Sequence, residues 1–258
     1  MKKPKIIFFD IDGTLIDMKV KRISERTLET LKRLQQNSIR ICIATGRPLL
    51  MVPKFEGLEF DTYLTFNGSY CCDKEGVIFS NPIPKADVLR VIANASAMGK
   101  PVNIATTDGM MANGSEEKLV EYFAHGSQKL TVSDEFENEL KKDIYQLMIT
   151  GTKEEYDALL EAAPGAKITA WWDQAVDVIP SNGGKGVAVE KILEHYGFSK
   201  DESMAFGDGN NDIEMLMAVG TGVAMANASQ ELKNVADVIC GHVAEDGIYH
   251  YCLENKLI

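Results

Sequence analysis

Apolar residues along the chain form short continuous segments, and several of these segments end in acidic residues and glycine. The first, Ile6-Ile7-Phe8-Phe9, is apolar at every position. A strand buried on one face would alternate apolar and polar residues, so this segment predicts a strand buried on both faces, as in a parallel sheet. Asp10 and Asp12 follow it, and Gly13 supplies the freedom for a tight turn. Because ligands bind at the carboxyl ends of strands in α/β sheets, these acids are candidates for chemistry.

Three further segments end in groups that complement a pair of acids. Residues 39–44 lead to Thr45, Gly46 and Arg47; glycines 183 and 184 precede Lys185 at the start of a predicted helix; residues 204–206 lead to Gly207, Asp208, Asn211 and Asp212. A threonine hydroxyl with neighbouring backbone N–H groups can bind an anion. A lysine at a helix start is usually solvated, so Lys185 matters only if it faces the acids. Two adjacent carboxylates need a metal or a proton to coexist.

Two common motifs of similar composition are excluded by their spacing. A calcium-binding loop that begins Asp-x-Asp has glycine at its sixth position and glutamate at its twelfth. Counted from Asp10, the glycine is fourth and the twelfth residue is Lys21, and the loop at Asp208 fails the same test. A Walker A phosphate loop would need glycine in place of Ile179 and serine or threonine in place of Gly186.

The order of the predicted elements indicates an inserted domain. Residues up to about 80 show strand, helix, strand and a β-hairpin, and alternation of helix and strand resumes at Lys185. Between them the pattern predicts helices at 85–98, 116–123 and 153–162, strands at 102–106 and 144–150, and two strands around Trp171-Trp172 and residues 176–179. We therefore predict an α/β protein in which residues 1–81 and 183–258 form a parallel-sheet domain and residues 82–182 form an inserted α+β domain.

The four strand-end segments, taken in order, resemble the motifs of the haloacid dehalogenase (HAD) superfamily of phosphotransferases. The matching residues are Asp10 to Thr14, then Thr45, then Lys185, then Gly207 to Asp212. Thr45-Gly46-Arg47-Pro48 and Phe66-Asn67-Gly68 are similar to the Cof-type branch. This resemblance spans nearly the whole chain and implies a Rossmann-like core with a C2B-type cap at residues 82–182. It also implies hydrolysis of small phosphomonoesters, such as sugar phosphates or related metabolites.

The resemblance implies a role for each matched residue. Asp10 would be the nucleophile that forms an aspartyl-phosphate, and Asp12 the general acid and base. A magnesium ion would be held by the Asp10 carboxylate, the Asp12 backbone carbonyl and Asp208, with Asp212 supporting Asp208 or a metal-bound water. Phosphate or substrate would be bound by Thr45, Gly46, Arg47, Lys185 and Asn211.

Two other functions stay open on the same residues. A phosphomutase of the phosphomannomutase type must hold a second phosphate, which favours an arginine fork in the cap, and Arg90 is the only arginine between residues 82 and 182. A non-catalytic phosphosugar sensor would predict the loss of Asp10 or Asp12, and both are present. The sequence therefore favours a phosphatase.

Aromatic and methionine residues in the predicted cap have two interpretations. Trp171, Trp172 and Met110-Met111 can line a pocket, but such residues fill a core more often. We therefore interpret them as packing residues.

Composition and charge limit the partners. The 258 residues carry a net charge of −11, and residues 82–182 contribute −7, with sixteen Asp and Glu against eight Lys and one Arg. This balance argues against a nucleic-acid partner. No apolar run approaches the roughly 20 residues of a membrane helix, and the N-terminal apolar segment is too short for a signal peptide. The five cysteines lack a Cys-x-x-Cys pair, as in reduced proteins. We expect a cytoplasmic enzyme whose partner is a small phosphorylated metabolite.

Overall fold

The computed structural model describes residues 3–126 and 128–258 and contains thirteen strands among them. The strands are β1 (Ile6–Phe9), β2 (Arg40–Ala44), β3 (Thr62–Thr65), β4 (Tyr70–Asp73), β5 (Gly76–Ser80), β6 (Val102–Thr106), β7 (Gly109–Ala112), β8 (Gln146–Thr150), β9 (Ala166–Thr169), β10 (Ala175–Pro180), β11 (Ser203–Gly207), β12 (Thr221–Ala224) and β13 (Val238–Ile239). The helices in the described residues are α1 (Glu25–Gln36), α2 (Lys85–Ala97), α3 (Glu117–His125), α4 (Phe136–Glu139), α5 (Tyr156–Leu159), α6 (Lys185–Tyr196), α7 (Ile213–Ala218), α8 (Gln230–Val235) and α9 (Gly247–Glu254).

Eight strands form one sheet in the order β13-β12-β11-β1-β2-β3-β4-β5. Every pair from β13 to β3 is parallel, and the hairpin of β4 and β5 adds two antiparallel pairs at the edge. β1 lies between β2 and β11, with Ile6 opposite both Arg40 and Ser203. The carboxyl ends of these three strands therefore meet at one edge, where Asp10, Thr45 and Asp208 follow them.

Burial on both faces explains why β1 is continuously apolar. Its four side chains have no exposed surface. Ile7 and Phe9 pack on the face covered by α1 and α9, while Ile6 and Phe8 pack on the opposite face, against α6. The prediction of a buried parallel strand is confirmed, because neither face of this strand contacts water.

A second, antiparallel sheet lies between β5 and β11 in the chain, in the order β7-β6-β8-β10-β9. Helices α2 and α5 pack on it around Val88, Val91 and Leu159. Phe66, which follows β3 of the first sheet, stacks on Tyr145 of this unit with ring centroids 5.2 Å apart. The predicted class, a parallel-sheet α/β core with an inserted α+β unit, is confirmed. Its boundaries, at residues 82–182 within 1–81 and 183–258, stay a prediction.

Two predicted elements of the insertion are wrong in detail. The strand expected around Trp171-Trp172 is β9, which ends at Thr169, and both tryptophans lie in the bend that leads to β10. Aromatic residues favour strands, but here the two rings pack against His125 instead of joining the sheet. The helix expected at 153–162 is a 3₁₀ turn followed by α5, which ends at Leu159. A positive φ of 54° at Ala162 prevents the helix from continuing.

One further feature of the fold concerns membranes. Among the helices that the structure describes, none is both long and apolar enough to cross a bilayer.

Candidate active site

Lys185 is a buried cation at the centre of the site. It is the first residue of α6, and its side chain has no exposed surface. Its Nζ donates hydrogen bonds to Asp10 Oδ1 at 2.8 Å, to Asp212 Oδ1 at 2.5 Å and to the backbone carbonyl of Ala44 at 2.9 Å. All three ammonium protons are therefore used. The sequence implied that Lys185 matters only if it faces the acids, and in the structure it faces them instead of solvent.

Three carboxylates surround this ammonium group. One oxygen from each of Asp10, Asp208 and Asp212 lies within 4.8 Å of the others. Burial raises the pKa of Asp10 to about 7, although the positive charge of Lys185 opposes the shift. Burial and the nearby charges of Asp10 and Asp212 raise the pKa of Asp208 well above its usual value. A single lysine balances only part of the negative charge that three ionised carboxylates would carry.

The same electrostatics act on the lysine. Burial by itself lowers the pKa of Lys185, because it disfavours the charged ammonium. The charges of Asp10 and Asp212 outweigh this effect and hold the pKa above its ordinary value. Lys185 is therefore a fixed positive charge in the site.

The cluster is composed of hard oxygen donors, which are the ligands that a divalent cation such as magnesium prefers. Asp208 is oriented by Thr14, whose hydroxyl donates to Asp208 Oδ1 at 2.9 Å. Asp212 accepts hydrogen bonds at Oδ2 from the backbone N–H groups of Asp208 and Gly209, at 3.0 and 3.1 Å. These residues fit a cation site, because its carboxylates are both close together and held in place.

The turn after β1 brings this cluster together. Gly13 has a φ of 91°, which side chains rarely adopt. A β-carbon at this position would also collide with the carboxylate of Asp208. Glycine is therefore required here both for the turn and for the close approach of the Asp208 loop.

Asp12 is not part of the three-carboxylate cluster and pairs with Arg47. The guanidinium donates from Nε to Asp12 Oδ2 at 2.7 Å and from a terminal nitrogen to Asp12 Oδ1 at 2.6 Å. The backbone N–H of Arg47 donates to the Thr45 hydroxyl at 3.1 Å. The sequence shows no cation next to the two acids, but the fold supplies one to each of them. Arg47, which follows β2, pairs with Asp12, and Lys185, at the start of α6, pairs with Asp10.

Asn67 is a residue whose importance the sequence does not reveal. Its Oδ1 accepts a hydrogen bond from Asn211 at 3.1 Å, and its Nδ2 donates to Asp177 at 2.9 Å and to Gln146 at 3.2 Å. Asn67 also lies against Gly46, where an added β-carbon would come within 3.0 Å of it. It therefore connects two strand ends of the first sheet to the second sheet. The only available signal was the Phe66-Asn67-Gly68 pattern.

Asp177 is the buried acid at the other end of this connection. It accepts a second hydrogen bond from the Tyr122 hydroxyl at 2.5 Å. Burial raises the pKa of Asp177 to about 6, although hydrogen bonds from Tyr122 and Asn67 oppose the shift. A polar network therefore joins the two sheets beside the acids, next to the stacked rings of Phe66 and Tyr145.

A cavity of about 460 Å³ opens between the two sheets, above the acids. Every predicted site residue that lines it follows a strand of the first sheet, and the second sheet contributes an opposing wall. Those predicted residues are Asp10, Asp12, Thr45, Gly46, Arg47, Asp208 and Asn211; Lys185 and Asp212 lie beneath them. Trp171 and Met110 also line the cavity, so the packing interpretation is incomplete for these two residues. Met110, Trp172 and Met111 do pack against the cores of the second sheet. The five-residue β9–β10 connection carries Trp171 out of the sheet and over the site.

Comparison with known proteins agrees with this arrangement. The chain belongs to the haloacid dehalogenase-like hydrolase family, whose profile matches residues 7–252.

Several relatives are similar over their full length. YkrA of Bacillus subtilis is 35% identical over 256 residues, which cover 98% of each chain. The 5-amino-6-(5-phospho-D-ribitylamino)uracil phosphatase YitU of Bacillus subtilis is 30% identical over 98% of this chain and 97% of its own. A solved structure of the HAD subclass IIB sugar phosphatase BT4131 superposes with a TM-score of 0.90 at 31% identity, covering 98% of this chain and 100% of that one. The chain is therefore a phosphoric monoester hydrolase by family.

The network around Asp177 generates a stability prediction. Replacing Tyr122 by Phe removes one hydrogen bond to a buried carboxylate, so the free energy of unfolding should fall by about 1–3 kcal/mol. The matched control is Tyr156→Phe, because the structure gives this hydroxyl no hydrogen-bond partner among the described residues; its effect should stay within about 0.5 kcal/mol. Urea unfolding of both variants measures the difference. Equal losses would show that the Tyr122–Asp177 bond does not stabilise the fold.

Proposed function

We propose that the protein is a magnesium-dependent phosphatase that hydrolyses small phosphomonoesters through an aspartyl-phosphate on Asp10. One observation carries this proposal. The carboxylate of Asp10 lies at the floor of a cavity, with a buried lysine at 2.8 Å and Asp208 beside it. In this position the carboxylate lies next to a cation that balances its charge, and a phosphate in the cavity can reach it.

Asp10 would act as the nucleophile. One of its oxygens attacks the phosphorus, the bond from phosphorus to the ester oxygen breaks, and an acyl phosphate forms. Water then attacks the phosphorus of that intermediate, which releases inorganic phosphate and regenerates the carboxylate. Lys185 reduces the repulsion between the carboxylate and the phosphate dianion, because its charge is fixed within hydrogen-bond distance.

Asp12 would act as the general acid for the leaving alkoxide and then as the base for the attacking water. Its side chain lines the cavity but is held by both nitrogens of the Arg47 fork. The fork occupies one lone pair on each Asp12 oxygen and stabilises the ionised carboxylate, so a shift of Arg47 away from Asp12 would favour its protonation. A phosphate bound beside Thr45 would attract the guanidinium, which gives Arg47 a second partner during the reaction.

The residues present fit a magnesium ion held by the Asp10 carboxylate, the Asp12 backbone carbonyl and Asp208. When bound, magnesium would neutralise charge on the transferring phosphoryl group and orient it toward Asp10. Asp212 would keep Asp208 in position through the backbone contacts of its loop. Thr45, Gly46 and Asn211 line the cavity and would contact the phosphate oxygens, whereas Lys185 would contact one only by exchanging one of its three acceptors for it. Residues 82–182 would form the cap that excludes water.

The cavity favours a phosphatase over a phosphomutase. A mutase must hold a second phosphate away from the metal, yet Arg47 is the only Arg or Lys among the described residues that line the cavity. The presence of both Asp10 and Asp12 argues against a sensor that has lost its catalytic residues. The names of YitU and BT4131 also support a small phosphorylated metabolite as the substrate. A cytoplasmic location stays a prediction from composition.

The proposed function generates predictions for the metal and for the nucleophile. Hydrolysis of acetyl phosphate should stop on exhaustive chelation and return with magnesium.

Asp10→Asn should lower kcat by at least about 10³-fold, because the amide is a poor nucleophile of the same shape. The matched control is Asp17→Asn, an exposed-loop substitution outside the cavity lining, which should retain activity. Turnover by Asp10→Asn at more than a trace, with the fold intact by circular dichroism, would exclude Asp10 as the nucleophile.

A second prediction separates the proton donor from the nucleophile. Asp12→Ala should slow hydrolysis of an alkyl phosphate about 10²-fold or more, because a poor leaving group needs a proton. The same variant should affect an aryl phosphate less, since the phenolate leaves without protonation. Steady-state rates on phenyl and ethyl phosphate give the ratio. An equal loss on both substrates would contradict the acid role of Asp12.

A further inference from the structure

We propose that the substrate is the monophosphate of a compound carrying a planar, uncharged aromatic or heteroaromatic ring, and that Trp171 and its neighbouring rings bind that ring. This inference rests on the proposed function, since it assigns the organic part of the phosphomonoester that the acids would cleave. It concerns the wall of the cavity opposite Asp10.

Four ring-bearing side chains line the cavity on the side of the second sheet. These residues are Tyr122, Phe123, His125 and Trp171. Tyr122 and Trp171 have ring centroids 5.2 Å apart, and His125 meets Trp171 edge to face at 5.9 Å. The rings form one continuous cluster, which is an arrangement that another ring can extend by stacking or by an edge contact.

Trp171 is the member of this cluster most available to a ligand. The indole touches three neighbouring rings, yet 41% of the residue is exposed. Its β-carbon also lies close to Gly209, in the loop that carries Asp208. The side chain is therefore held above the acids with part of its surface open to the cavity.

Methionine side chains complete the apolar part of the lining. Met18, Met110 and Met148 all border the cavity. Thioether sulfurs are polarisable and make favourable contacts with aromatic rings. A lining of rings and thioethers suits a flat, polarisable group better than a compact polyol.

Two buried polar groups of the same wall, Asp177 and Gln146, are already engaged. Asp177 accepts hydrogen bonds from Tyr122 and Asn67, and Gln146 accepts one from Asn67. A sugar would bring several hydroxyl groups into the cavity, and those that meet these paired groups, the rings or the thioethers would lose water without a matching partner. An aromatic ring has no such requirement. Because these groups are already hydrogen-bonded, this part of the wall favours an aromatic ring over a polyol.

The charged residues that line the cavity restrict the substituents that the ring can carry. Among the described residues that line the cavity, the one Arg or Lys is Arg47, which belongs to Asp12. A second phosphate or a carboxylate on the organic part would meet no free cation and would lie near Asp177. The cavity volume of about 460 Å³ accommodates a small ligand of this kind.

The test compares three monophosphates that share a primary alkoxide leaving group. Benzyl phosphate carries an aromatic ring, cyclohexylmethyl phosphate carries a saturated ring of similar size, and glucose 6-phosphate carries a polyol. For the wild-type protein with magnesium, kcat/KM for benzyl phosphate should exceed that for cyclohexylmethyl phosphate by about fivefold and that for glucose 6-phosphate by about tenfold or more. A preference for either non-aromatic substrate would overturn the inference.

Variants at neighbouring tryptophans assign the effect to a residue. Trp171→Ala should bring the ratio of benzyl to cyclohexylmethyl phosphate down to about one, whereas Trp171→Phe should keep most of it, because the ring remains. Trp172→Ala is the matched control, since this indole does not line the cavity; its ratio should stay within about twofold of wild type. Equal changes in the Trp171→Ala and Trp172→Ala variants would contradict the assignment of Trp171.

The same experiment separates this inference from the proposed function. If the wild-type protein hydrolyses acetyl phosphate and prefers glucose 6-phosphate, the phosphatase activity stands and only the aromatic substrate is wrong. If it hydrolyses neither acetyl phosphate nor any of the three esters, the proposed function itself is wrong.

Discussion

The arrangement of the site depends on one buried ammonium group. Lys185 has no exposed surface, and its three protons are shared among Asp10, Asp212 and the carbonyl of Ala44. Burying a charge without partners is very unfavourable, so these acceptors must be in place for the protein to fold as it does. The same contacts tie α6 to the ends of β1 and β2. Under the proposed function, the interaction that stabilises the site would also prepare Asp10 for a phosphate.

The topology of the sheet makes this interaction feasible for residues far apart in sequence. β1 is flanked by β2 and β11 in parallel register, so the segments after these strands converge at one edge. The second sheet then covers that edge through the network of Asn67 and Asp177. The division of labour follows from this geometry: the first sheet supplies the charges, and the second supplies the wall that a substrate would meet.

The sequence predicted the parts of the site that local pattern encodes. A continuous apolar strand ending in acids and glycine is a local signal, and it correctly indicated β1 and its position in a parallel sheet. The pairing of Asp12 with Arg47, 35 residues away, depends on how two loops approach and has no periodic signature. The bridge from Asn67 to Asp177 spans 110 residues and was missed for the same reason. Trp171 was misplaced because its aromatic side chain favours a strand by propensity, while packing against His125 holds it in a loop.

The most direct test of the central claim is to detect the phosphorylated residue during turnover. The protein is mixed with magnesium and ³²P-labelled acetyl phosphate, quenched in acid within milliseconds, and digested for peptide mass analysis. The account predicts one labelled peptide, with the phosphoryl group on Asp10, and more of it in Asp12→Ala, where hydrolysis of the intermediate is slowed. Release of labelled phosphate with no labelled protein at any time, or a label on another residue, would contradict the account.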